Sequence, residues 1–395
     1  MDAELGRGRA LAEVFRAFLR LGFTSFGGPT AHVGYFRTEF VTRRGWLDEA
    51  GFAGWVALCQ FLPGPSSTQL AFCLGWIRAG FAGAWLAFLA FMAPSGLTMA
   101  LLAWGLPRWE TASGIGAAHG LKVAAWEVVG HAVAGMARSL SGAWAEAVIA
   151  VCAGAMAWAW PDAASLHPLL VPAGAAAGAC WSRREAMAGI TGGGVRMRPL
   201  NSVACMVVAV GLLAAGSMVP PDAGRAAFCG ALYRAGALVF GGGHVVLPFL
   251  EDAVVGPGWC TRDDFLAGYG AAQAMPGPMF TLAAYLGMRA GGWTGALQGM
   301  VAIFLPGLLL VSAVAPSWAW LSSRRWAARA VSGAGAAVVG LLGAAWVGWV
   351  WPGAIHGWGD LALGGAAWAA LASGRVSPAW VVAGCAAWGG WTAKG

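Results

Sequence analysis

Charge is what this chain has least of. Only 10% of its 395 residues are Asp, Glu, Lys or Arg, against 59% hydrophobic, and the mean hydropathy is +0.66. Apolar stretches near the roughly 20 residues that cross a bilayer recur along it. That excludes a water-soluble globule and predicts an all-α polytopic membrane protein. Lysine is confined to Lys122 and Lys394 and asparagine to Asn201, a compositional bias without functional content. The eight cysteines form no C-x-x-C and mostly sit in apolar runs as small hydrophobes, so no disulfide framework or zinc site is expected. H-E-x-x-H, G-x-S-x-G and Walker A runs are missing, which leaves no case for hydrolysis, ATP coupling, a metal or a cofactor. The start, MDAELGRGRALAEVF, mixes both charge signs and lacks a short apolar core with a cleavage site; no signal peptide and a cytoplasmic N-terminus are expected. The net charge is +7, but the arginines flank apolar segments instead of forming a basic face, which speaks against a nucleic-acid partner.

What the chain does have is itself, twice. RLGFTSFGGPTAHV overlays RAGALVFGGGHVVL, so Arg20, Phe26, Gly27 and Gly28 recur as Arg234, Phe240, Gly241 and Gly242. Gln60, Pro63, Gly64 and Pro65 recur as Gln273, Pro276, Gly277 and Pro278, and Pro94 recurs as Pro306. The reading divides the chain into a first repeat, 1–181, a basic loop with one unpaired apolar segment, 182–225, and a second repeat, 226–395.

Basic residues mark loops that stay in the cytoplasm. They gather at the N-terminus, at 36–50 (Arg37, Arg43, Arg44), at 182–199 and at 320–330, while 250–264 sets Arg262 against Glu251, Asp252, Asp263 and Asp264. The loop after FGGP is thus basic and its counterpart after FGGG is not. Two inverted repeats of about six segments each, turned over by one linking transmembrane helix, satisfy that pattern. Charge parity is best met if the segments broken at FGGP/LPGP and FGGG/MPGP are re-entrant; thirteen plain spans are the competing count.

The breaks carry the chemistry. Proline lacks an N–H and clashes with the preceding turn, so P-G-P ends one helix and starts the next. Bare backbone in a bilayer survives only where protein buries it or where it lines a polar cavity. Helix N-termini offer free donors and partial positive charge, so the breaks read as an anion site near the midplane. Pro29, Thr30 and His32 follow one break, Ser66 and Ser67 another, and Gly243 and His244 a third. Arg20 and Arg234 precede the Phe-Gly-Gly runs equivalently and read as a paired clamp for a dianion; the bland alternative is that each snorkels to an interface. Glu127 and His131, four apart, are candidates for a proton relay, with a structural hydrogen bond as the alternative. The 24 tryptophans read as lipid-interface anchors.

With SFGGP and LPGP in one half and FGGG and MPGP in the other, the chain resembles the long, two-domain members of the chromate ion transporter family. The resemblance implies a multi-pass protein of the bacterial inner membrane that expels chromate with the proton-motive force and confers chromate resistance. Its motif positions are Phe26–Pro29, Pro63–Pro65, Phe240–Gly243 and Pro276–Pro278. Sulfate is a near-isosteric dianion, so an uptake carrier or channel for sulfate or another oxyanion stays open, as does a membrane enzyme or scaffold. Expected partners are the oxyanion, membrane lipid and, as an open option, a second copy in a homodimer.

Overall fold

The computed structural model describes residues 2–105, 111–140, 143–160, 167–183, 199–220, 222–240, 243–244 and 246–393, the side chains of 2–5, 30, 139 and 199 apart. The basic loop beyond residue 183, Gly241 and Gly242 lie outside the described residues. All regular structure among the described residues is helical.

The first half contains α1 (Asp2–Thr24), α2 (Gly28–Phe36, running on as a π turn over Arg37–Arg43), α3 (Glu49–Phe61), α4 (Ser66–Gly105), α5 (Ala112–Ser139), α6 (Trp144–Ala159) and α7 (His167–Trp181). After α8 (Pro199–Met218) come α9 (Arg225–Ala237), α10 (Val246–Val254), α11 (Arg262–Ala274), α12 (Leu282–Val314), α13 (Trp318–Ser322), α14 (Arg325–Ala345), α15 (Trp351–Ala354), α16 (Trp358–Ala372) and α17 (Pro378–Thr392). Ser66–Gly105, Leu200–Met218, Met279–Ser322 and Arg325–Ala354 are long and apolar enough to cross a membrane.

Local chemistry sets the ends of the matched helices. Asp48 caps α3 by accepting from the Gly51 N–H at 2.9 Å, and Thr261 caps α11 by accepting from Asp264 at 3.1 Å. Both helices stop one residue short of a proline. The ring of Pro63 pushes Leu62 to ψ 146°, and that of Pro276 pushes Met275 to ψ 141°.

α4 and α12 are each folded back on themselves, at Gly80 (φ +70°) and Gly292 (φ +64°). Their arms touch at Gly75 and Gly83 in one half and at Gly287 and Gly295 in the other, where any Cβ would run into a facing carbonyl. Ion pairs then bring chain ends together. Arg78, at the end of the first arm of α4, and Arg44, beyond α2, both grip Glu13 of α1, at 2.6 and 2.9 Å. In the second half Arg289 ends the first arm of α12 and returns to Asp264, at the start of α11, at 2.8 Å. Each P-G-P therefore sits at the inner bend of a helical hairpin. The second arms of α4 and α12 cross with opposite chain sense, Phe88 meeting Phe304 at 5.6 Å between ring centres while Met300 lies over Gly96. The two fold-back points consequently lie at opposite ends of the bundle.

The halves also exchange helices. α5 packs on α16 and α17, and α14 packs on α6 and α7. Glycine makes both contacts close: Gly116 and Gly120 abut Gly389 and Cys385, and Gly174 and Gly178 abut Gly333. Overpacking such sites costs about 1–3 kcal/mol. Gly75→Val or Gly287→Val should therefore lower the thermal unfolding midpoint of the detergent-solubilised protein, whereas Gly211→Ala, in open space, should leave it unchanged or raise it slightly.

Candidate functional site

Where the bends meet, the molecule holds a cavity of about 970 Å³. Gly27, in the left-handed region at φ +98°, turns the chain into α2 with Pro29 in the first turn; Pro65 does the same for α4, whose first residue is Ser66. Gly27, Gly28, Pro29, Gly64 and Ser66 all line the cavity. The first N–H groups of a helix have no partner within it and carry its positive pole, so two helix N-termini face this space. The second half adds Phe240, Gly243, His244 and Gln273, and α3 adds Cys59 and Gln60. One wall is α5, with Val128, His131 and Gly135; another is α14, with Val331, Ser332 and Gly335. Among the described residues no Arg, Lys, Asp or Glu lines it.

The bends are tied across the halves. The Gly64 N–H donates to the Val239 carbonyl at 2.7 Å, and its counterpart, the Gly277 N–H, donates to the Ser25 carbonyl at 2.7 Å. Gln69 reinforces the first bend, its Nε2 donating to the carbonyls of Pro63 at 2.9 Å and Gly307 at 3.1 Å. At the second, His244 Nδ1 and the Tyr269 hydroxyl lie 2.9 Å apart. Gln69 and Tyr269 went unread in the sequence. The available signals were a glutamine one turn beyond the Pro-Gly-Pro and a tyrosine one helical turn before Gln273.

The cavity thus gathers Gly27, Gly28, Pro29, Gln60, Gly64, Ser66, His131, Phe240, Gly243, His244 and Gln273. Pro63, Pro65, Pro276, Gly277 and Pro278 shape the bends without lining it, Phe26 is half-buried beside it, and Ser67 is buried in α4. Thr30 lies in the first turn of α2. His32 is fully buried behind the site, its Nε2 3.1 Å from the Ser25 carbonyl and its ring edge-on to Phe91. Glu127 is fully buried on α5 outside the lining, and neither carboxylate oxygen has a hydrogen-bond partner, so it is not bonded to His131.

The arginines are not brought together. Arg20 is exposed on α1, and Arg234 is half-buried with its guanidinium donating to the Gly216 carbonyl of α8. Each lies on the outer side of its helix because the inner side is closed by small-residue packing: Gly22 meets the carbonyls of Ala90 and Phe91, and Gly236 meets that of Ile303. The paired clamp is not assembled in this conformation. Away from the cavity, His119, His356 and Asp360 bring donor atoms within 4.8 Å of one another, His119 Nε2 lying 2.8 Å from Asp360.

A duplicated, all-helical, multi-pass membrane protein with a cavity of mixed polar and apolar lining held between its halves has the form of a transport protein. The particular lineage follows from comparison: the family described as "Chromate transporter" matches residues 12–179 and 226–390, and the chain belongs to it. It is a transporter, not an enzyme. It is 30% identical over 348 residues to "Chromate transport protein" of Pseudomonas aeruginosa (84% of this chain, 79% of the relative). It is 29% identical over 325 residues to "Probable chromate transport protein" of Synechococcus elongatus (78% and 76%). With "Chromate transport protein" of Cupriavidus metallidurans the identity is 27% over 328 residues (78% and 74%). No solved structure matches the chain.

Gln69→Leu removes the donor from the buried Gly307 carbonyl and the part-buried Pro63 carbonyl, a loss of about 1–3 kcal/mol for a buried group left unsatisfied. The expected outcome is a lower unfolding midpoint, by several degrees, with the protein still inserted, as read by thermal size-exclusion of the solubilised protein.

Proposed function

We propose that the protein exports chromate across a bacterial inner membrane, coupled to the proton-motive force, and thereby confers chromate resistance. One observation carries the reading: the bends of both halves converge on a cavity that offers two helix N-termini, Ser66, Gln60, Gln273 and imidazoles, and no fixed charge among the described residues. Such a surface attracts a tetrahedral dianion through oriented N–H and amide donors. It also lets the anion go, because among the described residues no arginine lines the cavity to hold it in a salt bridge. The names of the relatives supply chromate; the donors alone would take sulfate equally well. His131 and His244, on the cavity wall, are proposed to carry the coupling proton, with Glu127 behind them.

In the membrane, the hairpins that bend at Pro63–Pro65 and Pro276–Pro278 are re-entrant, and α8 turns the second repeat over relative to the first. The ion-pair pattern supports this, since Arg37, Arg44 and Arg78 mark one end and Asp263, Asp264 and Arg289 the other. The basic end is cytoplasmic. The repeats span 1–181 and 226–395, joined by 182–225. On this reading the cavity faces the cytoplasm, since its lining runs out along α5 to Met136, to Leu140 just past the end of α5, and to Ala328 in the first turn of α14, near the basic end.

Labelled chromate and sulfate offered to inverted vesicles test the substrate and direction. Chromate should accumulate when the vesicle interior is acid and positive, and a protonophore should abolish the accumulation. Sulfate accumulation without chromate, or chromate uptake confined to right-side-out vesicles, would replace export with an uptake carrier. Topology is read separately. Single cysteines at 36–50 should label only from the cytoplasm and those at 250–264 only from outside. Pro65→Ala and Pro278→Ala should each abolish transport while the protein stays inserted.

A further inference from the structure

The two halves match in chain but not in packing. α3 and α11 are equivalents, beginning at Glu49 and Arg262, and α5 and α14 are equivalents, beginning at Ala112 and Arg325, each pair offset by the same number of positions. α11 is packed on α5. Gly270 lies so close to the Leu121 backbone that a Cβ would collide with its carbonyl, and Lys122 Nζ reaches Asp263 at 3.1 Å. Between α3 and α14, where the same contact belongs by equivalence, lies the cavity, bounded by Gln60 on one side and by Val331 and Gly335 on the other.

Exposure follows the same division. Along one face of α3, at helical spacing, Ala53 and Gln60 are exposed and Val56 and Ala57 half-buried. The equivalent face of α11 holds Leu266 and Tyr269 at 0% exposure, with Gly270 buried and Gln273 half-buried. α3 thus leaves open a face whose sequence equivalent on α11 is largely packed against a neighbouring helix, which makes it available for a contact of the same kind.

We propose that the open face of α3 is the docking surface for α14, and that the transporter changes sides by exchanging the α11–α5 contact for an α3–α14 contact of the same design. The proposal rests on the transport reading given above. The state seen here is closed at the acidic end and open at the basic end; its counterpart is closed at the basic end and open at the acidic end. The image of the Lys122–Asp263 pair is Gly335 and Ala50, so the closed basic end lacks the ionic latch. The image of Gly270 is Ala57, so α3 approaches α14 less closely than α11 approaches α5. The wall of α14 has the room to receive it, since nothing lies within 4 Å of a Cβ built on Gly335.

The image pairs supply the experiment. In a background with the native cysteines replaced that still transports, Lys122→Cys with Asp263→Cys should cross-link in the state seen here. Ala50→Cys with Gly335→Cys should cross-link only in the other. A four-cysteine variant should give one bond or the other in a given molecule and never both, with an imposed pH gradient shifting the proportion. Each bond alone should arrest transport, reversibly on reduction. Molecules carrying both bonds, or an Ala50–Gly335 position that never cross-links under any gradient while the Lys122–Asp263 position does, would overturn the exchange. Gly335→Trp, left in the native-cysteine protein, gives an independent reading. The indole fills the open cavity wall, so the variant should insert and unfold like the parent yet lose at least ten-fold in transport rate; an unchanged rate counts against the exchange. If the bonds are mutually exclusive in a protein whose vesicles transport sulfate but not chromate, the exchange stands and the chromate reading falls.

Discussion

Two backbone hydrogen bonds hold the centre of this molecule: Gly64 to Val239 and Gly277 to Ser25. Each joins the bend of one half to the last residue before the Phe-Gly-Gly of the other. A proline-broken helix in a low-dielectric interior leaves amides that must find partners, at a cost of several kcal/mol each if they do not. The halves solve this for each other. Glycine is required at both donors because the backbone turns left-handed there, at φ +119° and +92°, and because a facing residue sits where a Cβ would be. From those two points the helix N-termini acquire their direction and the cavity acquires its floor.

The duplication and the breaks were legible because both are written in local chemistry. Proline and glycine act on their own neighbours, and the extended conformations of Leu62 and Met275 follow from the residue that comes next. Of the lining, Gly27, Gly28, Pro29, Gln60, Gly64, Ser66, Gly243, His244 and Gln273 came from the same motifs. The arginines were read by a different logic, the cost of charge in an apolar stretch, which says that an ion needs a partner and not which way it points. Gly22 and Gly236 decided that: by allowing the inner faces of α1 and α9 to close on a neighbouring helix, they turned Arg20 and Arg234 outward. Nor could periodicity reveal that α5 and α14 cross over to the opposite half, since that depends on glycine faces more than 150 positions apart, such as Gly116 with Gly389 and Gly178 with Gly333.

A dianion held, as proposed, by a cavity with no fixed counter-charge among the described residues meets particular electrostatics. Helix dipoles and amide donors act over the first turn and little beyond, so the attraction is steep near the site and weak at the mouth. A cation in the wall would instead deepen the well for every anion that enters, chloride included. Selection then rests on how many donors a tetrahedral oxyanion satisfies at once, a matter of shape rather than net charge.

The exchange of α5 and α14 between halves also bears on how the protein is made. When α5 leaves the ribosome, the glycine faces that will receive it, on α16 and α17, have not been synthesised; Gly116 meets Gly389 only as the last helix is inserted. Until α16 and α17 follow, the small-residue face of α5 lacks the partners that glycine-to-glycine contact gives it in the folded protein. Chains that stop short of α17 leave that face without its partner, however well their earlier helices are folded.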